Sequence, residues 1–137
     1  MTNNQIEVTF PGKMKVEAIY KGFKVTTDQP VYAGGEGLAL SPFDLFLISI
    51  ATCAGFYFLA FCQERGISME GSKVVMSIEK NPERKMISRL IIDLFLPVGF
   101  PEKYQEAAKR AVDSCPVKLH LFHPPEFIIR VNSPKLD

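Results

Sequence analysis

The chain has 137 residues, of which 47% are apolar and 23% charged, and its formal net charge is +1. This length supports one continuous hydrophobic core, so the sequence predicts a single domain over residues 1–137. The near-neutral charge balance argues against nucleic acid and against an anionic membrane surface as partners.

The N-terminus and the cysteine count bear on the compartment. The first ten residues, MTNNQIEVTF, contain no basic region followed by an apolar run, as a secretion signal requires. The chain has three cysteines, an odd number, and it is long enough to be stable without disulfide bonds. Both observations fit a reducing environment. The sequence therefore predicts a cytoplasmic protein.

Three short strands are predicted at the start of the chain. Apolar and polar side chains alternate over residues 6–10 and again over residues 14–20, with Pro11-Gly12 between the two runs. This period of two predicts a hairpin with one buried face. A third strand follows over residues 23–26, and then an irregular, glycine-rich segment over residues 28–40.

A long apolar helix is predicted between Ser41 and Gly66. Ser41 is a suitable N-cap, Pro42 suits the first helical position, and Asp44 completes a shortened capping box. Gly66 is typical of a helix C-terminus. Residues 45–62 carry no charge and reach the minimum length of a membrane span. We favour a core helix, because a lone span would leave the flanking amphipathic strands without an apolar partner.

Small side chains occupy the middle of this helix, between bulkier aromatic and aliphatic ones: Ser49, Ala51, Thr52, Cys53, Ala54 and Gly55. Small residues allow a second helix to come close. Because the chain has no other long apolar helix, this pattern predicts a symmetric homodimer in which the same helix of two subunits packs together. Close packing against the second helix of the same chain is the alternative.

The second half of the chain predicts two strands, two helices and a last strand. The strands cover residues 73–79 and 86–96, and the latter, nearly apolar on both faces, is typical of a central strand. A second helix begins at Pro101, and its inward stripe consists of Tyr104, Ala108, Ala111 and Cys115. A short helix over residues 116–122 and a strand over residues 126–131 complete the predicted α+β order.

The three cysteines fall in different settings. Cys53 lies in the small-residue zone of the long helix, and Cys115 ends the stripe of the second helix. Cys62 is nine positions after Cys53, about half a turn out of phase at 100° per residue, and so faces elsewhere. We interpret Cys62 as a small buried hydrophobe.

Two motifs in the chain resemble those of a known family. The run SPFDLFLISIATC resembles the NPEELL...AxxxC segment of the OsmC-like and organic hydroperoxide resistance proteins, and DSCPVKLHL resembles their second motif. The separation of the cysteines and the element order also agree, and the GGEG...SPFDLF pattern is similar to a less characterised OsmC-like branch. The resemblance implies antiparallel sheets around a long central helix in an intertwined homodimer.

The resemblance also implies a reaction. In that family a thiolate attacks the O–O bond of an organic hydroperoxide and an alcohol leaves. The resulting sulfenic acid condenses with a second cysteine, which implies that Cys53 is the peroxidatic residue here and Cys115 the resolving one. A dithiol reductant then reopens the disulfide, and no cofactor is needed.

The chain departs from the peroxidases of the family at one point. They hold the thiolate with an arginine placed before the long helix, whereas this chain has no arginine before Arg65. Lys24 is a candidate source of positive charge, although it lacks the planar geometry of a guanidinium. Asp44 and Glu36 are candidate carboxylates, the first equally explained as a helix cap. We therefore expect peroxidase activity of low potency.

Two other functions compete with this hypothesis. Thiolate and imidazole suit zinc, but Cys115, His120 and His123 match no common zinc spacing, so no metal site is predicted. The second is a non-enzymatic dimer that binds a small apolar ligand or lipid. The pocket for such a ligand would be lined by Phe43, Phe46, Phe56 and Tyr57.

Overall fold

The computed structural model describes residues 4–134 of the chain. The backbone forms two compact units, residues 1–50 and residues 51–137. Its strands and main helices are, in chain order, β1 (Glu7–Gly12), β2 (Lys15–Tyr20), β3 (Phe23–Thr27), α1 (Pro42–Glu64), β4 (Lys73–Asn81), β5 (Met86–Phe95), α2 (Gln105–Asp113) and α3 (Pro116–Phe122). Both sheets are antiparallel, so the predicted α+β class is confirmed.

The first unit contains the predicted three-stranded sheet, in the order β1-β2-β3. Ala18 in the central strand lies opposite Val8 on one side and Val25 on the other. The prediction of a buried hairpin face is wrong for β1, because all six of its residues are exposed. Alternation determines which side chains share a face, but burial depends on what packs against that face.

The glycine-rich segment is held in place by the buried carboxylate of Asp28. One oxygen accepts the backbone N–H of Gln29 at 2.8 Å, and the other accepts those of Glu36 at 3.3 Å and Leu38 at 3.2 Å. Gly35 is needed at its position, because a Cβ there would lie 1.9 Å from the backbone oxygen of Gln29. The segment therefore has no regular secondary structure, but its backbone is held in one conformation by the hydrogen bonds to Asp28.

Both ends of α1 agree with the sequence signals. The backbone N–H of Ser41 donates to Asp44 at 3.1 Å, and the N–H of Asp44 donates to the Ser41 hydroxyl at 3.2 Å, which is a reciprocal capping box. Gly66 has a φ of 65°. The N–H of Ile67 bonds the carbonyl of Cys62, and the N–H of Gly66 bonds that of Gln63, so the helix ends in a Schellman motif.

Helix α1 is long and apolar enough to cross a membrane by length and composition. Its most apolar stretch has a mean hydropathy of 2.2, and 28% of that stretch is buried. Helices at the core of soluble proteins also meet these two criteria. Length and composition therefore do not decide between a core helix and a membrane span.

The second unit contains a two-stranded sheet, in which Val74 lies opposite Leu94 and Met76 opposite Ile92. The prediction that β5 is a central strand is wrong for this structure: within residues 4–134 it pairs with β4 alone. The predicted strand over residues 126–131 is also wrong, because this segment has no regular structure and its side chains are exposed. A strand needs a pairing edge, which a sequence pattern cannot supply.

The core of the second unit is formed where α1 meets α2 and β5. Its fully or nearly fully buried members are Ala54, Phe58, Phe61, Cys62, Ala108 and Val112. The second helix is shorter than predicted: a single 3-10 turn at Glu102–Tyr104 precedes α2, which ends before Cys115. The stripe of Ala108 and Ala111 nevertheless faces this core, as the spacing predicts.

Candidate active site

The structure brings two cysteines of the second unit together. The thiols of Cys53 and Cys115 are hydrogen-bonded to each other, and the backbone N–H of Val117 donates to the Cys53 sulfur. Cys53 is half-buried and Cys115 is fully buried, and both are free thiols. Two hydrogen-bonded thiols are an arrangement from which a disulfide can form.

The break between α2 and α3 positions Cys115. Pro116 occupies the first turn of α3, and a proline disfavours helical geometry in the residue before it. Cys115 accordingly has an extended ψ of 127°, and the chain leaves α2 at this point. The first N–H groups of a helix have no acceptor within that helix, which leaves the Val117 N–H available to the Cys53 sulfur.

Burial is the main influence on the reactivity of Cys53. Burial raises the pKa of the Cys53 thiol, the hydrogen bond with Cys115 raises it further, and the Val117 N–H acts in the opposite direction. The net pKa is above the ordinary value. Since the thiolate is the nucleophile, the raised pKa keeps Cys53 mostly protonated at neutral pH.

Cys62 lies apart from this pair. It is fully buried in the core of the second unit, beside Phe58 and Phe61. Burial raises the pKa of the Cys62 thiol, with the nearby charge of Arg65 acting in the opposite direction. A thiol enclosed by hydrocarbon behaves as a small hydrophobe.

The three accessory candidates lie in the first unit, and each has a local partner there. Asp44 caps α1, as described above. Lys24 pairs with Glu17 at 3.5 Å. Glu36 pairs with Lys15 at 2.5 Å and with Lys13 at 3.1 Å, and these two hydrogen bonds lower the pKa of the Glu36 carboxyl.

Two groups of functional interest were missed in the sequence. Val117 donates through its backbone, which side-chain chemistry cannot reveal, although Pro116 marks the helix start that frees its N–H. Asp28 is a buried carboxylate in a segment for which the sequence predicts no regular secondary structure. Its position immediately after β3 and before a glycine-rich run is the signal that indicates a loop anchor.

The residues considered for zinc do not form a cluster. Within residues 4–134, no group of three histidine, cysteine or acidic side chains is arranged to hold a metal ion. His120 instead places its Nδ1 atom 2.7 Å from the carbonyl oxygen of Pro116. Its ring therefore has a local structural partner.

The aromatic residues considered for an apolar ligand form two separate pairs. Phe43 and Phe46 have ring centroids 5.5 Å apart, and Phe56 and Tyr57 have centroids 5.4 Å apart in an edge-to-face arrangement. Thirteen residues separate Phe43 from Phe56 on α1, about 20 Å at 1.5 Å per residue. The first pair belongs to the first unit and the second pair to the second unit.

Comparisons with known proteins place the chain in a family. The model of the family described as OsmC-like protein matches residues 34–130. No curated protein matches the chain.

Solved structures with the same fold include three named relatives. A protein from Psychrobacter arcticus, named as an osmotic stress induced and detoxification response protein, is 25% identical, with a TM-score of 0.70 and 85% of each chain covered. An OsmC-like protein from Mycoplasma pneumoniae is 13% identical, with a TM-score of 0.68 and coverage of 88% of this chain and 87% of that one.

An organic hydroperoxide resistance protein from Legionella pneumophila is 22% identical, with a TM-score of 0.55 and coverage of 85% of this chain and 87% of that one. The Mycoplasma pneumoniae and Legionella pneumophila proteins, both below 25% identity, share the fold of this chain. The family model extends over most of the chain, including the whole of α1 and both cysteines of the hydrogen-bonded pair. The chain therefore belongs to the OsmC-like protein family.

Proposed function

We propose that this protein is a thiol-dependent peroxidase that reduces organic hydroperoxides through Cys53 and Cys115. The Cys53 thiolate attacks the O–O bond, so that an S–O bond forms, the O–O bond breaks, and the departing alkoxide takes a proton to become an alcohol. Cys115 then attacks the Cys53 sulfenic acid, forming the disulfide and releasing water. Thiol exchange with a dithiol reductant restores both thiols.

The observation that carries this proposal is the hydrogen bond between the two thiols. A sulfenic acid on Cys53 would form next to the thiol that resolves it, before further oxidation takes place. Family membership supports a peroxide-related role, and one structural relative is named for organic hydroperoxide resistance. The raised pKa of Cys53 supports low potency at neutral pH.

The decisive experiment is a thiol titration. The reduced protein is mixed with cumene hydroperoxide, and free thiols are counted over time. We expect the loss of two thiols per chain, abolished in Cys53→Ser. The Cys115→Ser variant should lose one thiol and accumulate a sulfenic acid that a dimedone probe traps, while Cys62→Ser serves as a matched control that still loses two.

Unchanged thiols in the wild-type protein would overturn the proposal. Unchanged thiols together with a co-purified lipid would instead support the alternative of a non-enzymatic dimer that binds an apolar ligand. Loss of two thiols in Cys53→Ser would show that the oxidised pair is a different one. Each outcome is read by mass spectrometry on the intact chain.

We further propose that the working form is a cytoplasmic homodimer of one-domain chains, with α1 as its core helix. The family model crosses the division between the two units, which supports one domain. The exposed side of α1 supports the dimer, because it carries large apolar side chains, Ile48 at 42% and Phe56 at 59% exposure. Apolar surface of this kind is typical of an interface.

A further inference from the structure

A groove of about 380 Å³ lies between α1 and α2, entirely within the second unit. Its walls combine the aromatic rings of Tyr57 and Phe61 with the small side chains of Ala107 and Ala111. The groove is open to solvent, and its walls also carry the polar side chains of Glu64, Arg65, Arg110 and Ser114. The reaction proposed above does not by itself assign this groove a role.

Two guanidinium groups line the groove, and one of them lacks an acidic partner. Within residues 4–134, Arg110 has no carboxylate within ion-pair distance. Arg65 donates to the carbonyl of Phe61 at 3.1 Å and lies 3.6 Å from the centroid of the Phe61 ring. Its carboxylate neighbour, Glu64, is 3.7 Å away and 77% exposed, so this pairing is weak.

On both helices, a wall residue of the groove lies close to one of the two cysteines. Tyr57 is one helical turn after Cys53 on α1, and so lies on the same side of the helix. Ser114, at the other wall, immediately precedes Cys115. Neither cysteine lines the groove itself, and Tyr57 and Ser114 are the wall residues next to them along the two helices.

We propose that Arg110, supported by Arg65, binds the carboxylate of an organic hydroperoxide whose peroxide end reaches Cys53. A guanidinium recognises a carboxylate through two parallel hydrogen bonds, and the aromatic wall contacts the hydrocarbon between the two ends. The preferred substrates are then anionic hydroperoxides rather than neutral ones. This inference rests on the peroxidase function proposed above, for which Arg110 is a specificity-determining residue.

Two substrates that differ by one charge test the proposal. Cumene hydroperoxide is compared with the same compound carrying a para-carboxylate, and KM and kcat are measured for each. We expect Arg110→Gln to raise the KM of the carboxylated compound about tenfold relative to that of the neutral one, the loss of one charge-assisted contact. Arg110→Lys should restore part of this preference, since it keeps the charge without the planar geometry.

Lys109→Gln is the matched control, because it removes the same charge from the neighbouring position of α2, which faces a different cavity. An equal change in Lys109→Gln and Arg110→Gln would overturn the proposal, since only long-range charge would then matter. An unaltered KM ratio in Arg110→Gln would overturn it as well.

A binding measurement separates this inference from the redox function. In Cys53→Ser, which cannot react, 4-isopropylbenzoate is titrated by calorimetry with and without Arg110→Gln. Binding that Arg110→Gln weakens about tenfold supports the anion site, even if the wild-type protein fails to reduce hydroperoxides. If the protein reduces hydroperoxides but does not bind 4-isopropylbenzoate, the peroxidase function is supported and the carboxylate site is overturned.

Discussion

Cys115 illustrates how one residue's neighbours determine its chemistry. Pro116 ends the helical path, Cys115 takes an extended conformation, and its thiol meets that of Cys53. The same contact raises the pKa of Cys53, so Cys115, the proposed resolving residue, also lowers the reactivity of Cys53, the proposed peroxidatic one. In the proposed reaction, this arrangement favours the resolving step over the initial attack on the peroxide.

The raised pKa predicts how Cys53 reactivity depends on pH. A raised thiol pKa moves the appearance of the thiolate to higher pH, so alkylation of Cys53 by iodoacetamide should still be increasing above about pH 8.5, the ordinary thiol value. Replacing Cys115 with alanine removes a contact that raises the pKa, and should move the profile to lower pH. A profile unchanged in Cys115→Ala would contradict the assigned contact. The rates are followed by mass spectrometry in the Cys62→Ser background.

Pro116 gives a second prediction at this scale. Without the proline, α2 can continue through residue 115, which would turn the Cys115 thiol away from Cys53. We expect Pro116→Ala to slow disulfide formation about tenfold while the sulfenic acid on Cys53 persists, because proximity drives the resolving step. Pro124→Ala, in the irregular C-terminal segment, is the control and should form the disulfide at the wild-type rate.

Among the elements, α1 shows the closest agreement between sequence and structure. The sequence alone predicted its N-cap, the proline of its first turn and the glycine at its C-terminus. These features could be predicted because helix caps depend on residues that are close in the chain. Strands were less well determined. The alternating pattern located most of them. In the described part of the chain, however, β5 pairs on one edge alone and residues 126–131 form no strand, and both outcomes depend on pairing between distant segments.

The capping box of α1 can be tested directly. Ser41→Ala removes one of its two hydrogen bonds and should lower the free energy of unfolding by about 1 kcal/mol. Asp44→Ala should cost a similar amount, and the double variant less than the sum, because the two bonds form one unit. Urea titration measures the stability. A large fall in Cys53 oxidation rate in Asp44→Ala, at unchanged stability, would assign Asp44 a functional role instead of a cap.

The loop anchored by Asp28 predicts a dependence of stability on acid. Burial alone would raise the pKa of Asp28, but three backbone N–H donors and the charge of Lys15 together lower it. A carboxyl with a lowered folded pKa stabilises the fold above its unfolded pKa, and loses that contribution as pH falls through the folded value. Melting temperatures should therefore fall below about pH 4 in the wild type, and less steeply in Asp28→Asn. Parallel pH curves for the two proteins would contradict this assignment.

For the whole molecule, the proposed assembly explains surfaces that one chain leaves exposed. The outward stripe of α1 includes Ile48 at 42% and Phe56 at 59% exposure, together with Thr52 and Gly55. Among the residues that the structure describes, nothing lies within 4 Å of a Cβ built at Gly55, so the space beside it is open. A second helix can approach closely at such a position.

Gly55→Leu tests the dimer without weakening the chain. Leucine favours a helix over glycine by about 0.5 to 1 kcal/mol, so the helix itself should gain stability. The bulky side chain would keep the second helix away, and we expect the protein to become monomeric in light scattering coupled to size exclusion. Gly55→Ala is the conservative control and should stay dimeric. A dimeric Gly55→Leu would place the interface elsewhere.

The sequence by itself determined the α+β class, the order of the elements as far as α3, the ends of α1 and the two motifs that contain Cys53 and Cys115. These features depend on periodicity, on helix caps and on the restraint that proline and glycine impose on neighbouring residues. The site residues could be proposed from the family resemblance, but their contact could not be calculated from spacing, since 62 positions separate them.

Only the tertiary structure determined which of these residues come into contact. The hydrogen bond between the two thiols, the N–H of Val117 at the Cys53 sulfur and the groove with Arg65 and Arg110 all join residues from different helices. Burial in particular is a property of the folded chain: it raises the pKa of Cys53, and it leaves β1 exposed despite its alternating pattern. Local sequence determines the elements, whereas packing between distant segments determines their chemistry.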